Sequence, residues 1–195
     1  PELESNKIET QNLEKQQTIN NKNYYLINSL DEIDKWIEEA EEVGEVAVDT
    51  ETTSLDPHQA DLVGISLCSK IGKACYIPVG HKSPKCLKKD AVIKKLKKIL
   101  EDPSIKKIGQ NIKFDFIVFY KCGITLSSME DTMLMSYVLD AGKNRHNMDT
   151  LSEIHLGHKT ISFKEMVGTG KKEINFSEVE LDKAKDYAAE DADVT

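Results

Sequence analysis

The chain has 195 residues, of which 39% are apolar and 31% charged, enough to build the core of one ordinary domain. Its formal net charge of −8, from 26 basic and 34 acidic residues, argues against broad binding of duplex DNA through a basic surface. No segment approaches the roughly 18 apolar residues of a membrane span and no signal peptide is found, so we expect a cytoplasmic protein.

The predicted elements begin after a polar segment. Residues 1–22 contain few large apolar residues and no periodicity, which predicts a tail or a linker from a preceding domain. Because the first residue is Pro1, we expect a fragment of a longer protein, with its domain at residues 23–195. Strands are predicted at "YYLIN", "EVAVDT", "DLVGISLCS", "ACYIPVG" and "SIKKIGQ", and the short "KIGK" predicts a hairpin between the third and the fourth.

Helices alternate with these strands and then dominate the second half of the chain. They are predicted at "SLDEIDKWIEEAEEV", "KKDAVIKKLKKIL", "NIKFDFIVFYKC", "MEDTMLMSYVLDAG", "MDTLSEIHLG", "SFKEMVG" and "EVELDKAKDYAAEDADVT". Early strands followed by helices predict an α/β domain in which α-helices flank a mixed β-sheet.

The four cysteines, Cys68, Cys75, Cys86 and Cys122, form no CxxC pair. Cys68 and Cys75 fall within apolar, strand-like segments. We therefore expect free thiols, with these two buried, in preference to a zinc site or disulfides.

Two carboxylates close the strand "EVAVDTET". Because side chains alternate along a strand, Asp49 and Glu51 share a face and lie roughly 6.7 Å apart along the chain. Burying two unpaired carboxylates together is costly, and a cation between them would remove that cost. The alternative is a solvated strand end that runs into an acidic loop.

A third carboxylate, Asp115, lies on the apolar side of its predicted helix. At 100° per residue, Ile112 and Phe119 lie near it on one side, and Asn111 and Val118 on the other. An isolated buried carboxylate there would cost several kcal/mol. The alternative is a buried aspartate bonded to backbone or to Asn111, and Asn111 also suits the N-cap of this helix.

The last predicted helix places a phenol beside a fourth carboxylate. Tyr187 and Asp191 are four residues apart and share a helix face. Asp186, Glu190 and Asp193 project elsewhere and are expected to be solvated. Carboxylate oxygens are the ligands that Mg²⁺ and Mn²⁺ prefer, and two such ions roughly 4 Å apart can support phosphoryl transfer.

An ordered set of motifs resembles a known family. "DTETTSLD", "KKIGQNIKFD", "DTMLMSYVLDAGKNRHNMDTL" and "YAAEDADVT" closely resemble the proofreading 3′–5′ exonuclease domain of bacterial DNA polymerase I. This is the tyrosine subtype of the DEDD superfamily, and the resemblance implies a ribonuclease H-like fold. The histidine subtype requires a histidine where this chain has Asp186.

The resemblance implies a role for each acidic residue in an active enzyme with two divalent cations, Mg²⁺ or Mn²⁺. Asp49 would bridge both metals, Glu51 and Asp191 would bind the metal of the attacking water, and Asp115 would hold the second. Tyr187, with Glu51, would orient that water, since a phenol with a pKa near 10 is a poor base at neutral pH.

It also implies contacts with the 3′ end of single-stranded DNA. Leu55 would pack against the terminal base, Phe176 would stack on the next base, and Asn111 would help to hold the strand terminus. Arg145, the one arginine beside 25 lysines, would contact phosphate, and the alternative is a surface arginine without a role.

Three functions remain open at this point. The first is a DNA exonuclease that releases nucleoside 5′-monophosphates. It would be a monomer, with a polymerase domain following in the same chain. The second is an exoribonuclease of the ribonuclease D type. The third is a DNA-binding module without catalysis, which the complete set of carboxylates disfavours.

Overall fold

A six-stranded mixed sheet forms the centre of the domain, in a computed structural model that describes residues 23–195. The tail or linker predicted at residues 1–22 lies outside the described residues. In sheet order the strands are β1 (Tyr24–Leu26), β4 (Lys73–Pro78), β3 (Leu62–Lys70), β2 (Glu45–Thr52), β5 (Lys106–Gly109) and β6 (Met129–Asp131).

The middle of this sheet is antiparallel and its flanks are parallel. β3 pairs antiparallel with β2 and with β4, and a tight turn at residues 71–72 joins β3 and β4 as the predicted hairpin. β5 runs parallel to β2, β6 runs parallel to β5, and β1 runs parallel to β4. The carboxyl ends of β2, β5 and β6 therefore lie along one edge of the sheet.

In the described part of the chain, seven α-helices pack around the sheet, which confirms the predicted α/β architecture. They are α1 (Leu30–Val43), α2 (Lys89–Leu100), α3 (Lys113–Lys121), α4 (Thr132–Asp140), α5 (Met148–Leu156), α6 (Phe163–Val167) and α7 (Leu181–Val194). Short 3₁₀ turns lie at Gly170–Lys172 and Phe176–Glu178.

The main core lies between one face of the sheet and the helices α1, α2 and α3. Val46 and Val48 of β2 belong to it, together with apolar residues of all three helices. In α1 the predicted spacing of three and four residues gives the buried stripe Ile33, Trp36, Ile37 and Ala40.

Helix α7 covers the opposite face of the sheet through small side chains. Because an alanine side chain is only a methyl group, the axis of α7 lies close to the four strands β1, β2, β3 and β4. The polar residues of α7 are thereby brought near the sheet. The buried alanines of this face are Ala184, Ala188, Ala189 and Ala192.

The predicted start of the helix "MEDTMLMSYVLDAG" is wrong. Residues 129–131 form the edge strand β6 instead of the start of a helix, because β5 leaves an open parallel edge beside them. Helix α4 begins only at Thr132, where the Asp131 side chain accepts hydrogen bonds from the N–H groups of Met133 and Leu134.

Glu190 and Asp193 are also not the solvated acids that the sequence predicts. Glu190 is buried, accepts a 2.6 Å hydrogen bond from the N–H of Ile161 and lies 2.8 Å from Nε2 of His158. Asp193 accepts a 2.8 Å hydrogen bond from the Tyr24 hydroxyl. These two acids hold α7 to the loop between α5 and α6 and to β1.

The four cysteines are free, and Cys68 and Cys75 are buried, as the sequence predicts. Within residues 23–195, no helix is both long and apolar enough to span a membrane.

Candidate active site

Strand β2 sorts its side chains onto two faces at the carboxyl edge of the sheet. Ala47 packs with the alanines of α7, so Asp49 and Glu51, two and four residues further on, face the same helix. Thr50 points to the other face, where its hydroxyl donates a 2.5 Å hydrogen bond to Oδ1 of Asp115. The pairing with β3 shifts between Glu51 and Thr52, and the strand ends at Thr52.

Three carboxylates converge between β2 and α7. Oxygens of Asp49, Glu51 and Asp191 all lie within 4.8 Å of one another. Across residues 23–195, the ion pairs within 4.0 Å involve other acids, so no lysine, arginine or histidine neutralises these three. A cluster of this kind is the donor set that a divalent cation prefers.

Burial and mutual repulsion act on the ionisation of this cluster. Burial raises the pKa of Asp49 to about 6, against a smaller opposing effect of a hydrogen bond from the Thr50 backbone. Burial, followed by repulsion from Asp49, raises the pKa of Glu51 and of Asp191 well above the ordinary range. A bound cation would remove both penalties, so these residues fit a metal site.

Asp115 approaches from α3, on the other side of β2. It is 2% exposed, and its pKa is raised by burial and by repulsion from Asp49, although the Thr50 hydroxyl opposes this shift. The inward orientation predicted for Asp115 is therefore confirmed. Asp115 is not part of the group of three, and this position suits a ligand of a second, neighbouring ion.

Tyr187 adds a phenol to the same cluster. Burial and the adjacent carboxylates of Asp191 and Glu51 raise its pKa, so the hydroxyl remains protonated at neutral pH. Its ring lies 5.9 Å from that of Phe176 and 6.2 Å from that of Phe163, between centroids, and these contacts fix its orientation. Tyr187 is therefore positioned as a hydrogen-bond donor beside the carboxylates.

The strand opposite Glu51 is shaped by a close contact. Gly64 pairs with Glu51, and a Cβ at Gly64 would come within 2.1 Å of the Tyr76 hydroxyl, so a larger residue there would displace this ring. The Tyr76 hydroxyl lies 2.7 Å from Nε2 of His81. This buried pair packs behind Phe176 and supports the aromatic wall of the site.

A cavity of about 540 Å³ joins these groups to solvent. It is lined by the carboxylates and Tyr187, and by several side chains predicted or suited to contact a nucleotide: Leu55, Gln110, Asn111, Phe114, Phe163, Asn175 and Phe176. The structure thus brings together the five predicted catalytic residues and three of the four predicted DNA contacts.

Leu55 projects from the loop after β2 and is 89% exposed, as a side chain that packs against a base should be. Phe176 lines the cavity but is only 2% exposed, which argues against the predicted stacking on a base. Its ring is stacked against Phe163, at 8° between the ring planes, and Phe163 is 40% exposed. Phe163 is therefore the aromatic ring that this wall offers to a ligand.

Asn111 lines the cavity, but the prediction that it caps α3 is wrong. The helix begins at Lys113, and Asn111 has a left-handed backbone with φ of 57°. Its N–H donates to Oδ1 of Asp131, the carboxylate that also caps α4. This bond ties the turn after β5 to the start of α4 and fixes the position of Asn111.

Arg145 lies in the exposed loop between α4 and α5 and does not line the cavity.

Sequence reasoning also missed Gln110, which accepts a 2.6 Å hydrogen bond from the Thr132 hydroxyl and donates a 2.8 Å bond to the carbonyl of His146. Its position in the sequence could have indicated this, because Gln110 precedes Asn111 and directly follows β5, one of the strands that end at the edge of the sheet where the carboxylates lie.

A mixed sheet flanked by helices, with four carboxylates and a tyrosine at its carboxyl edge, defines a nuclease domain of the ribonuclease H-like class. A family of 3′–5′ exonucleases matches residues 24–195, and the chain belongs to that family. It is 44% identical over 194 residues to DNA polymerase I of Rhizobium leguminosarum, covering 88% of this chain and 19% of that protein. Identity to DNA polymerase I of Pseudomonas aeruginosa is 45% over 168 residues, covering 83% and 18%.

Solved structures support the fold. Brucella melitensis NrnC with bound Mg²⁺ matches with a TM-score of 0.63 and 25% identity, covering 87% of this chain and 74% of that one. Escherichia coli RNase D matches with a TM-score of 0.68 and 21% identity, covering 88% and 42%. The chain spans less than a fifth of the length of these two polymerases. The predicted resemblance to the exonuclease domain of DNA polymerase I is confirmed.

Proposed function

We propose that this chain removes nucleotides one at a time from the 3′ end of single-stranded DNA and releases nucleoside 5′-monophosphates. The observation that carries the proposal is the convergence of Asp49, Glu51 and Asp191, with oxygens within 4.8 Å of one another, on a cavity shared with Asp115 and Tyr187. The identity of 44–45% to DNA polymerases supports DNA as the substrate.

Two divalent cations, Mg²⁺ or Mn²⁺, complete the proposed site. Asp49, Glu51 and Asp191 would hold one, and Asp115 with Asp49 would hold the other. Bound there, such ions supply charge stabilisation to the attacking and leaving oxygens of phosphoryl transfer. The protein fixes the four ligands on β2, α3 and α7, so little reorganisation is required when they bind.

Tyr187 and Glu51 would orient the attacking water. A phenol that remains protonated donates a hydrogen bond to a water oxygen, while the Glu51 carboxylate accepts one, and together they fix the direction of its lone pairs. Positioning of the nucleophile, in place of proton abstraction by the phenol, is the role that these pKa shifts support.

The cavity walls would hold the 3′-terminal nucleotides. Leu55 and Phe163, two of the exposed apolar side chains at the site, would pack on bases, and Asn111 would bond the strand terminus. Arg145 remains a predicted phosphate contact, supported only by its motif and by the planar geometry with which arginine binds phosphate.

A comparison of matched oligonucleotides tests the choice of DNA. We expect 5′-labelled DNA of 20 nucleotides to be shortened at least ten-fold faster than RNA of the same sequence in Mg²⁺, and no cleavage in EDTA. Faster degradation of RNA would favour the alternative supported by the fold of RNase D. Binding of DNA with no cleavage of either oligonucleotide would favour a DNA-binding module without catalytic activity.

In the full-length protein, we propose, this activity serves proofreading beside a polymerase domain in the same chain, as the far longer relatives suggest. A monomeric state and a cytoplasmic location remain predictions.

A further inference from the structure

A lysine outside the cavity clamps the loop that carries Leu55. Lys121 is the last residue of α3, and its ammonium group donates hydrogen bonds to the carbonyl oxygens of Pro57, His58 and Ala60, at 3.2, 2.8 and 2.6 Å. An ammonium group has three N–H donors, so this arrangement uses all of them. Three carbonyl groups that converge on one cation form a specific arrangement, unlike a lysine that simply extends into solvent.

The clamped loop, residues 53–61, connects β2 to β3 and forms one wall of the cavity. Its ends are closed by bonds between Thr53 and Asp61, from the Thr53 N–H to the Asp61 carbonyl and from the Asp61 N–H to the Thr53 hydroxyl. From outside, Asn175 donates to the carbonyl of Thr53 at 2.9 Å. Lys121 holds the other half of the loop, beyond Leu55.

The same clamp connects the loop to a helix that carries a proposed metal ligand. Asp115 lies six residues before Lys121 on α3, so the helix spans from the carboxylate cluster to the loop. Lys121 does not line the cavity itself. Any effect that it has on a bound nucleotide must therefore pass through the loop and through Leu55, the loop's exposed apolar side chain at the cavity.

We propose that Lys121 is a positioning residue for the DNA 3′ end: it fixes the loop relative to α3 and thereby sets Leu55 against the terminal base. This rests on the proposed function, since it takes single-stranded DNA as the ligand. Without the clamp, the loop has more conformations, and the cost of ordering it is added to each binding event.

A double-mutant cycle in an Asp49→Asn background tests this by affinity, with no need for cleavage. A 5′-fluorescein single-stranded DNA is titrated and followed by anisotropy, with Lys121→Met and Leu55→Ala introduced singly and together. We expect Lys121→Met to weaken binding five- to ten-fold when Leu55 is present, and by less than two-fold when Leu55→Ala is also present. Lys94→Met, an exposed lysine of α2, is the control for lost charge and should weaken binding less than two-fold.

Equal weakening by Lys121→Met in both backgrounds would overturn the proposal, because Lys121 would then act through charge or by touching DNA directly. No weakening in either background would overturn it too. Hydrogen exchange of the loop supplies a second readout: amides of residues 58–61 should exchange faster in Lys121→Met than in the parent. A wild-type chain that binds but does not cleave DNA would refute the proposed function and leave this test intact.

Discussion

At the scale of single residues, Asp49 is the centre of the repulsion in the site. Repulsion from Asp49 adds to burial in raising the pKa of Glu51, Asp115 and Asp191, and burial raises its own pKa to about 6. In the absence of a cation, the folded state therefore holds protons more tightly than the unfolded chain, whose aspartates titrate near 3.9. The site is arranged for binding at the expense of stability.

Asp49→Asn should consequently stabilise the metal-free protein. Since the folded-state pKa is raised, the free energy of unfolding falls as pH rises from about 4 through about 6, and stays low above that range. We expect the substitution to flatten this fall and to add on the order of 2 kcal/mol at pH 8 in EDTA. Urea denaturation at several pH values measures the effect.

The matched control is Glu153→Gln, at an exposed acid of α5, which should change stability by less than about 0.5 kcal/mol. Added Mn²⁺ should raise the melting temperature of the wild type more than that of Asp49→Asn. A lower stability of Asp49→Asn in EDTA would show that burial of the Asp49 carboxylate does not destabilise the metal-free protein.

The local sequence pattern was sufficient to predict the orientation of some side chains but not of others. The helical period placed Asp115 toward the core because Val118 and Phe119, on the same side, had to be buried. The prediction that Asn111 caps α3 was wrong because its backbone is fixed by Asp131, twenty residues later, and not by α3. The exposure of Phe163 and the burial of Phe176 depend on which ring lies underneath, and no local pattern encodes that.

At the scale of elements, the site depends on how closely α7 approaches the sheet. Asp191 comes from α7 and Asp49 and Glu51 from β2, so the separation of these elements determines whether three carboxylates can share one cation. The alanine face of α7 keeps this separation small. Glu190 and Asp193 add polar anchors, which sequence reasoning missed because their partners lie in distant segments.

Ala188→Leu should disturb this packing. Ala188 is fully buried against Val63, Tyr76 and Phe176, so the larger side chain must push α7 outward or distort its neighbours. We expect a loss of about 1–3 kcal/mol of stability and a loss of the melting-temperature increase caused by Mn²⁺. Urea denaturation and thermal melts measure both.

Lys183→Leu provides the control on the same helix, because Lys183 is exposed and the new side chain has room. It should retain the response to Mn²⁺. If Ala188→Leu kept both its stability and that response, close approach of α7 would not be what assembles the carboxylates.

At the scale of the whole molecule, a mixed sheet collects residues from distant parts of the chain at one edge. β2, β5 and β6 run parallel and end there, and α7, at the far end of the sequence, packs across the face of β2. The net charge of −8 argues against a broad basic surface, so the proposed binding of single-stranded DNA would draw its affinity from metal-bridged phosphate and from base contacts at the cavity.

The proposed function requires that the carboxylate cluster is the metal site of a 3′–5′ exonuclease. A time course on 5′-labelled single-stranded DNA, in Mg²⁺, Mn²⁺ or EDTA and beside Asp49→Asn, tests it most directly. We predict a ladder that shortens from the 3′ end only with metal, and at least 100-fold slower cleavage by Asp49→Asn, although that variant is the more stable protein in EDTA. Cleavage that persists in EDTA, or at the wild-type rate in Asp49→Asn, would show that the carboxylate cluster is not the metal site of the nuclease.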